Sequence, residues 1–484
     1  MKSLQKNLIY NIGYQILIII LPLITAPYVS RTLGADAVGV YSYTNSVAYY
    51  FLLTAMLGIS NHGNRCVAAV RDDEEKLNRT FSAIYTLQIL TYIIAIIAYI
   101  FYMLFIVKEN KLISYLQLIY VTSGLFDVSW LFFGLEKFKI TVTRSTIIRI
   151  LTVILMFIFV HTPADLWKYT LIMASGTALS QMTLWLFLRK YVKFKLAHWN
   201  EVIANVKPVL ILFIPVLAYS IYKVMDKIML GEMSIYTQVG FYNSAEKIIN
   251  IPMGIITAMG TVMLPRMSNI VAKGNKQENT MYIRLSMKMV TIVASAISFG
   301  LMGISNVLAP VFFGKEFYPC GTIIAFLSLS CFFMSWANVV RTQYLIPMHY
   351  DKVYIISAVV GAILNLSVNW VLIPKYQANG AAIGTIVAEF GVMFIQVYAV
   401  RKEIPVYKYI VKYIPIIISG FIMMLMVNTI GNIMGQGILT LVIQILTGGI
   451  IFVLLAVIYL IVIHDEIIEI LKKMELPKVR AFKN

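Results

Sequence analysis

The chain has 484 residues, 60% of them hydrophobic and 13% charged, with a mean hydropathy of +0.81. Soluble domains hold about 45–50% apolar and about 25% charged residues, so this composition excludes a soluble protein and points to an integral membrane one. The formal net charge of +18 raises the question of a nucleic-acid partner, and the placement of that charge along the chain answers it in the negative.

The first residues carry Lys2 and Lys6 and run into an apolar segment at 8–30. That segment is longer than the apolar core of a secretory signal (about 7–15 residues) and lacks a small-residue cleavage site, so it reads as an uncleaved first span with a cytoplasmic N-terminus. Next comes RTLGADAVGVYSYTNS, Arg31 to Ser46. Here Gly34 and Gly39 suit a tight outer turn, and Tyr41 and Tyr43 suit the membrane interface. The second span is expected at 40–61. The others follow at 80–107, 112–134, 146–161, 166–188, 207–230, 241–265, 285–305, 320–342, 353–374, 380–400, 413–430 and 439–463. Each has the length of a helix crossing about 30 Å of hydrocarbon. The alternating stretches of about 10 residues that mark a β-barrel are absent.

With the N-terminus inside, the cytoplasmic gaps include HGNRCVAAVRDDEEKLNR, EKFKITVTR, RKYVKFKLAHW, RMSNIVAKGNKQEN and RKEIPVYKYIVK. About 31 of the 40 Lys and Arg fall on or beside that side, which is the positive-inside bias and fixes the orientation. The basic charge therefore reports topology and contact with membrane lipids, with no nucleic-acid partner. Cys66, Cys320 and Cys331 are too dispersed for a disulfide framework or a metal site.

A repeat organises the spans. Leu33-Gly34 pairs with Leu230-Gly231, and Gly39-Val40-Tyr41-Ser42 pairs with Gly240-Phe241-Tyr242-Asn243, the latter at an offset of 201 residues. The same offset sets Arg65 on Arg266, and Ser129-Trp130 falls opposite Ser335-Trp336. Spans 1–6 thus match spans 7–12. Because six is even, the copies are parallel repeats related by an axis along the membrane normal, an arrangement that suits alternating access between two lobes. The expected fold is all-α: an N-lobe over 1–195, a C-lobe over 196–405, helices 13 and 14 over 406–463, and a cytoplasmic tail over 464–484.

Several stretches resemble one family. TLGADAVGVYSYTNS, DVSWLFFGLEKFKITVTRS, VMDKIMLG with VGFYNSAEKIINIP, VMLPRMSN and LIPKYQANGAAIGTIVAEF are together similar to the polysaccharide-repeat-unit (Wzx-type) flippases, within the larger group that includes the MATE exporters. The resemblance spans nearly the whole chain. It implies a protein of the bacterial cytoplasmic membrane that moves an undecaprenyl-pyrophosphate-linked oligosaccharide to the outer leaflet. It also implies a central cationic cavity and a groove near helices 13 and 14 for the polyprenyl tail. No cofactor is expected beyond a coupling H+ or Na+. The chain is expected to work as a monomer beside the polysaccharide polymerase and chain-length machinery.

Ionisable residues inside membrane helices are functional candidates by default. Lys223, Asp226 and Lys227 stand at i, i+3 and i+4 on one face of span 7, and span 8 adds Glu246 and Lys247. The lysines suit pyrophosphate or acidic sugars. Asp226 and Glu246 suit a coupling proton or the holding of those lysines, and snorkelling lysines with a structural ion pair are the plain alternative. Arg31 stands at the outer end of span 1 as a mouth-lining or lipid-contacting residue. Asp127 and Glu389 lie inside spans 4 and 12 as gating or coupling carboxyls. Arg149 and Arg341, near cytoplasmic helix ends, suit either the lipid-linked phosphate or topological anchoring. Asn11, Gln15, Asn45, Gln181, Asn250, Asn365 and Asn369 could bond sugar hydroxyls or serve as interhelical glue. Three rivals are weaker. A multidrug exporter needs an aromatic, acidic pocket, whereas the central charges here are more cationic. A polymerase or acyltransferase needs outer-loop space and a nucleophile, and neither appears. An ATP-driven exporter needs a phosphate loop ending in Gly-Lys-Ser/Thr, and GISNHGNR lacks the lysine.

Overall fold

The computed structural model describes the backbone over residues 2–465, and side chains from residue 20 onward except at positions 222 and 407. Asn11, Gln15 and the tail from residue 466 lie outside the described side chains. No strand occurs among the described residues, as lipid demands of segments that must satisfy every backbone group internally. Among the described residues, fourteen α-helices follow in order: α1 Lys2–Met56, α2 Ile59–Val70, α3 Glu74–Phe101, α4 Lys111–Ser123, α5 Ser129–Gly134, α6 Phe138–Phe159, α7 Leu166–Leu188, α8 Trp199–Met233, α9 Tyr236–Ala272, α10 Lys276–Phe313, α11 Cys320–Val340, α12 Asp351–Val400, α13 Val406–Met434 and α14 Ile438–Val462. Eleven described helical stretches are long and apolar enough to cross a membrane. By contacts the chain gathers into two compact units, residues up to Ser244 with Asn365–Ala381, and Ala245–Leu364 with Ala382 onward.

In the first unit, the expected outer loop between spans 1 and 2 shrinks to one residue. α1 is helical up to and beyond Gly34, which alone leaves helical geometry at φ 76, ψ 172, a conformation cheap only for glycine. The chain reverses there. Beyond it, Tyr43 donates to Glu232, the Tyr50 hydroxyl reaches the Ser220 carbonyl at 3.1 Å, and Gly58 lies against Val209. Its second arm therefore runs antiparallel to α8.

Gly39 is not a turn residue, contrary to the sequence-based expectation. It sits inside the second arm of α1, where an added Cβ would fall 1.7 Å from the Tyr236 carbonyl oxygen. Gly240 mirrors it, with an added Cβ 2.0 Å from the Ala35 carbonyl oxygen. The Thr237 hydroxyl donates to Asp36 at 3.2 Å, another pair 201 residues apart. The two copies of the repeated phrase thus touch each other through equivalent residues, backbone on backbone.

The expected fourth span is broken. α4 ends at Ser123, a 3₁₀ turn covers Gly124–Phe126, and α5 starts afresh at Ser129. Side chains accept the work of the missing helix bonds. Gln88 donates to the carbonyls of Gly124 and Asp127, both at 3.0 Å, Tyr85 donates to Leu125 at 3.2 Å, and Trp185 to Phe126 at 3.0 Å. The Gln88 carbonyl in turn accepts the Trp130 indole at 3.1 Å. Gln88→Leu takes the side-chain donor from the Asp127 carbonyl and the acceptor from the Trp130 indole in a dry core, at about 1–3 kcal/mol for each buried group left unpaired, while the Gly124 carbonyl keeps the Asp127 amide. Thermal melts in detergent are expected to show that loss, and an unchanged melting temperature would remove Gln88 from this role.

The second unit repeats the tryptophan motif. Trp130 is packed into the core of the first unit with Phe81 stacked on it, and Trp336 into that of the second, stacked on Phe332. α12 breaks at Gln377 (φ 51, ψ −128). Its two arms fold back as a hairpin, with Gly361 against Val392, Gly391 against Leu364, and Gln396 donating to Ser357 at 2.9 Å. α10 and α13 meet the residues just after α14 around a buried ion pair, Lys288 Nζ to Asp465 Oδ1 at 3.3 Å, with the Tyr413 hydroxyl donating to Asp465 at 2.7 Å.

Candidate functional site

α8 is unbroken through the Lys223–Lys227 stretch, so Lys223, Asp226 and Lys227 do share one face. Asp226 is 1% exposed, while both lysines are half-buried. A buried carboxylate is costly unless its oxygens are bonded, and here both are. Tyr242 Oη donates to Oδ2 at 2.5 Å from α9, and Asn369 Nδ2 donates to Oδ1 at 2.5 Å from the hairpin end of α12. Asn369 Nδ2 also donates to Asn365 Oδ1 at 3.2 Å. One carboxylate therefore joins three helices of the first unit beside two ammonium groups. The sequence put Asn369 among undifferentiated polar residues, and it gave no signal for Tyr242 beyond its place in the repeated phrase.

The remaining candidates are spread out. Glu246 and Lys247 are half-buried on α9, and Glu389 is buried on the returning arm of α12; all three belong to the second unit. Arg341 opens a π-turn over Arg341–Leu345, with its guanidinium 5.8 Å from the Tyr354 ring centre. Arg31 is exposed, three residues before the Gly34 reversal. Asp127 has a local task, accepting the Ser129 amide at 2.9 Å and so starting α5 after the break.

Arg149 lines a cavity of about 450 Å³ between α1, α6 and α7, together with Arg144, Thr25, Thr177 and Gln181. The Arg144 guanidinium donates to the Ser180 carbonyl, to Gln181 at 3.3 Å and to Ser145 at 3.1 Å. Sequence reasoning passed over Arg144 because it falls in an expected basic loop, where a single cation carries no signal. Two guanidiniums among hydroxyls and apolar side chains can hold an anionic headgroup, since planar guanidinium donors fit phosphate oxygens in pairs.

Comparison with known proteins places this architecture. A family model described as "Polysaccharide biosynthesis protein" matches residues 4–271, and one described as "Lipid II flippase MurJ" matches residues 145–460. The chain belongs to the polysaccharide biosynthesis protein family. Among relatives of this family member, a putative O-antigen transporter of Escherichia coli (strain K12) is 24% identical over 405 residues, covering 83% of this chain and 97% of that one. The capsular polysaccharide biosynthesis protein CapF of Staphylococcus aureus is 26% identical over 387 residues, covering 76% and 92%. In fold, the chain is similar to lipid II flippase MurJ in an inward closed conformation, with TM-score 0.75, 16% identity, and 95% and 99% of the two chains covered. An inward-facing multidrug MATE transporter follows at TM-score 0.58 and 11% identity, covering 80% and 99%. The family member is thus a multi-pass membrane protein of the MurJ/MATE-like fold, a transporter and not a catalytic enzyme.

Proposed function

We infer that the protein is a flippase for lipid-linked oligosaccharide repeat units, carrying them from the inner to the outer leaflet by alternating access. The observation that carries this reading is the polysaccharide biosynthesis match over residues 4–271, and the MurJ-like fold supports it. In this reading the substrate is an undecaprenyl-pyrophosphate-linked glycan, the membrane is the bacterial cytoplasmic one, and a polymerase with its chain-length machinery takes over the product from a monomeric flippase.

The reading includes fourteen spans with both termini in the cytoplasm, and lobes at 1–195 and 196–405 with helices 13 and 14 appended. Dividing α1 at Gly34 and α12 at Gln377 supports that number, and the Gly39–Gly240 approach supports the two-fold relation of the repeat. Lys223, Lys227, Lys247, Arg31, Arg149 and Arg341 serve the phosphates and acidic sugars. Asp226, Glu246, Asp127 and Glu389 serve gating or coupling to H+ or Na+. Asp127 suits gating because its carboxylate holds the Ser129 amide beside a broken helix, the kind of element around which transporters build sites.

The test is translocation of a labelled lipid-linked oligosaccharide in liposomes. Lys223→Gln, Asp226→Asn and Lys247→Gln, made singly, are expected to slow it about tenfold each, as the loss of one charge-assisted bond predicts, without reducing insertion. Wild-type rates in all three variants would remove the cluster from the mechanism.

A further inference from the structure

Three connections of the first unit meet in a basin of about 610 Å³: Arg71–Asp72 between α2 and α3, Glu136–Lys137 between α5 and α6, and Arg189–Lys193 after α7. The charge bias assigns this corner to the cytoplasmic surface. It contains EK of the motif LFFGLEKFK, to which the transport reading gives no task.

Glu136 occupies a position where glycine is the usual residue. The Lys137 amide bonds the Phe132 carbonyl at 2.8 Å and the Glu136 amide bonds the Phe133 carbonyl at 3.0 Å. This is the paired pattern that closes a helix through a left-handed residue, and Glu136 stands there at φ 58. A non-glycine residue in that region is disfavoured, so a carboxylate there directs attention to what its side chain does. Its Oε1 meets Arg71 Nη1 at 2.6 Å. Next to it, the Lys137 ammonium lies 5.7 Å over the Tyr191 ring. The three connections are therefore tied to one another through side chains.

The basin wall also carries Arg189, Lys190 and Lys193. Among the described residues these three have no ion-pair partner, whereas Arg71 has Glu136. The chain at and just after Lys193 is pinned, with the Lys193 amide on Asn78 Oδ1 at 2.7 Å and the Lys195 amide on Ser82 Oγ at 3.2 Å. Cations scattered only to set topology require neither a shaped basin nor a fixed backbone. An anion held at the membrane surface requires both.

We propose that this basin binds the phosphate group of a membrane lipid, with Arg189, Lys190 and Lys193 as its ligands and Glu136 holding Arg71 at the rim. The site stands independently of the transport reading, because the phosphate could belong to a polyprenyl pyrophosphate or to an anionic phospholipid.

The test uses the full chain in phosphatidylcholine nanodiscs, with three probes: inorganic pyrophosphate in solution, phosphatidylglycerol added to the disc, and undecaprenyl pyrophosphate added to the disc. The triple variant Arg189→Gln/Lys190→Gln/Lys193→Gln is expected to weaken binding of at least one lipid probe tenfold or more. Glu136→Gly is expected to tighten it, since it removes a negative charge from the rim and releases Arg71, in a backbone position that suits glycine. Opposite effects of the two variants distinguish a local phosphate site from a folding defect, which would move both downward. Binding of undecaprenyl pyrophosphate alone, or of phosphatidylglycerol as well, identifies the lipid that fills the site. Affinity within twofold of wild type in the triple variant for every probe, or a parallel loss in both variants, would overturn the proposal. Because each outcome is read as binding, failure here is separable from failure of translocation.

Discussion

Gly39→Ala is expected to destabilise the folded protein by about 3 kcal/mol or more. The new methyl would lie 1.7 Å from the Tyr236 carbonyl oxygen and within contact of the Gly240 amide nitrogen. Both obstacles are backbone within helices, so no side chain can swing aside. Overpacking a core costs about 1–3 kcal/mol when neighbours yield; here α1 and α9 must part, and the upper end of that range or beyond is expected. Gly240→Ala should behave alike, since its methyl meets the Ala35 carbonyl at 2.0 Å. Gly449 in α14 supplies the contrast, with nothing within 4 Å of an added Cβ. Gly449→Ala is expected to be neutral or to stabilise by up to about 1 kcal/mol, the ordinary helical preference for alanine. Melting of the three purified variants in detergent decides the matter, and Gly39→Ala melting with wild type would dismiss the close approach.

Asp226→Ala is expected to abolish transport and to destabilise the fold together. It strips the acceptor from both the Tyr242 hydroxyl and the Asn369 amide in a site that is 1% exposed. Each buried donor left unpaired costs about 1–3 kcal/mol. Tyr242→Phe takes the phenol donor from the buried Asp226 carboxylate, so it is expected to cost about 1.5–3 kcal/mol, the range for a hydrogen bond to a charged group. Asp226→Asn separates charge from shape. It keeps the volume and one acceptor, so melting should fall far less than in the alanine variant while translocation falls about tenfold, as in the liposome series. Normal translocation by Asp226→Asn would make Asp226 a purely architectural group.

The close approach and the Asp226 network differ in how far the sequence foretold them. The repeated phrase was legible as a register mark, and its echo at an offset of 201 residues is the pairing that meets in space at Asp36–Thr237. Its chemistry was not legible. Gly39 reads as a turn residue because glycine in a polar interruption usually is one. Only the neighbouring helix shows that the missing side chain matters for packing. Span 4 reads as one helix because hydropathy averages over the break at Gly124–Val128, whereas Gln88, Tyr85 and Trp185, which make the break tolerable, come from other helices. Arg144 and Glu136 were hidden for the same reason, being charges in stretches where charge is ordinary.

By itself the sequence determined the membrane class, the approximate length and order of the spans, the duplication, and which helix faces carry ions. All of these rest on local quantities, namely hydropathy over a window, charge beside a span, and spacing along one helix. The tertiary structure alone decided which buried polar group meets which. Asp226 and Asn369 are 143 residues apart, and no period in the chain links them. In lipid, apolar side chains are as well solvated by tails as by one another, so helix pairing is set by small residues and interhelical hydrogen bonds. Those contacts exist only once the helices are side by side, and that is where Gly39, Gln88 and Asp226 acquire their roles.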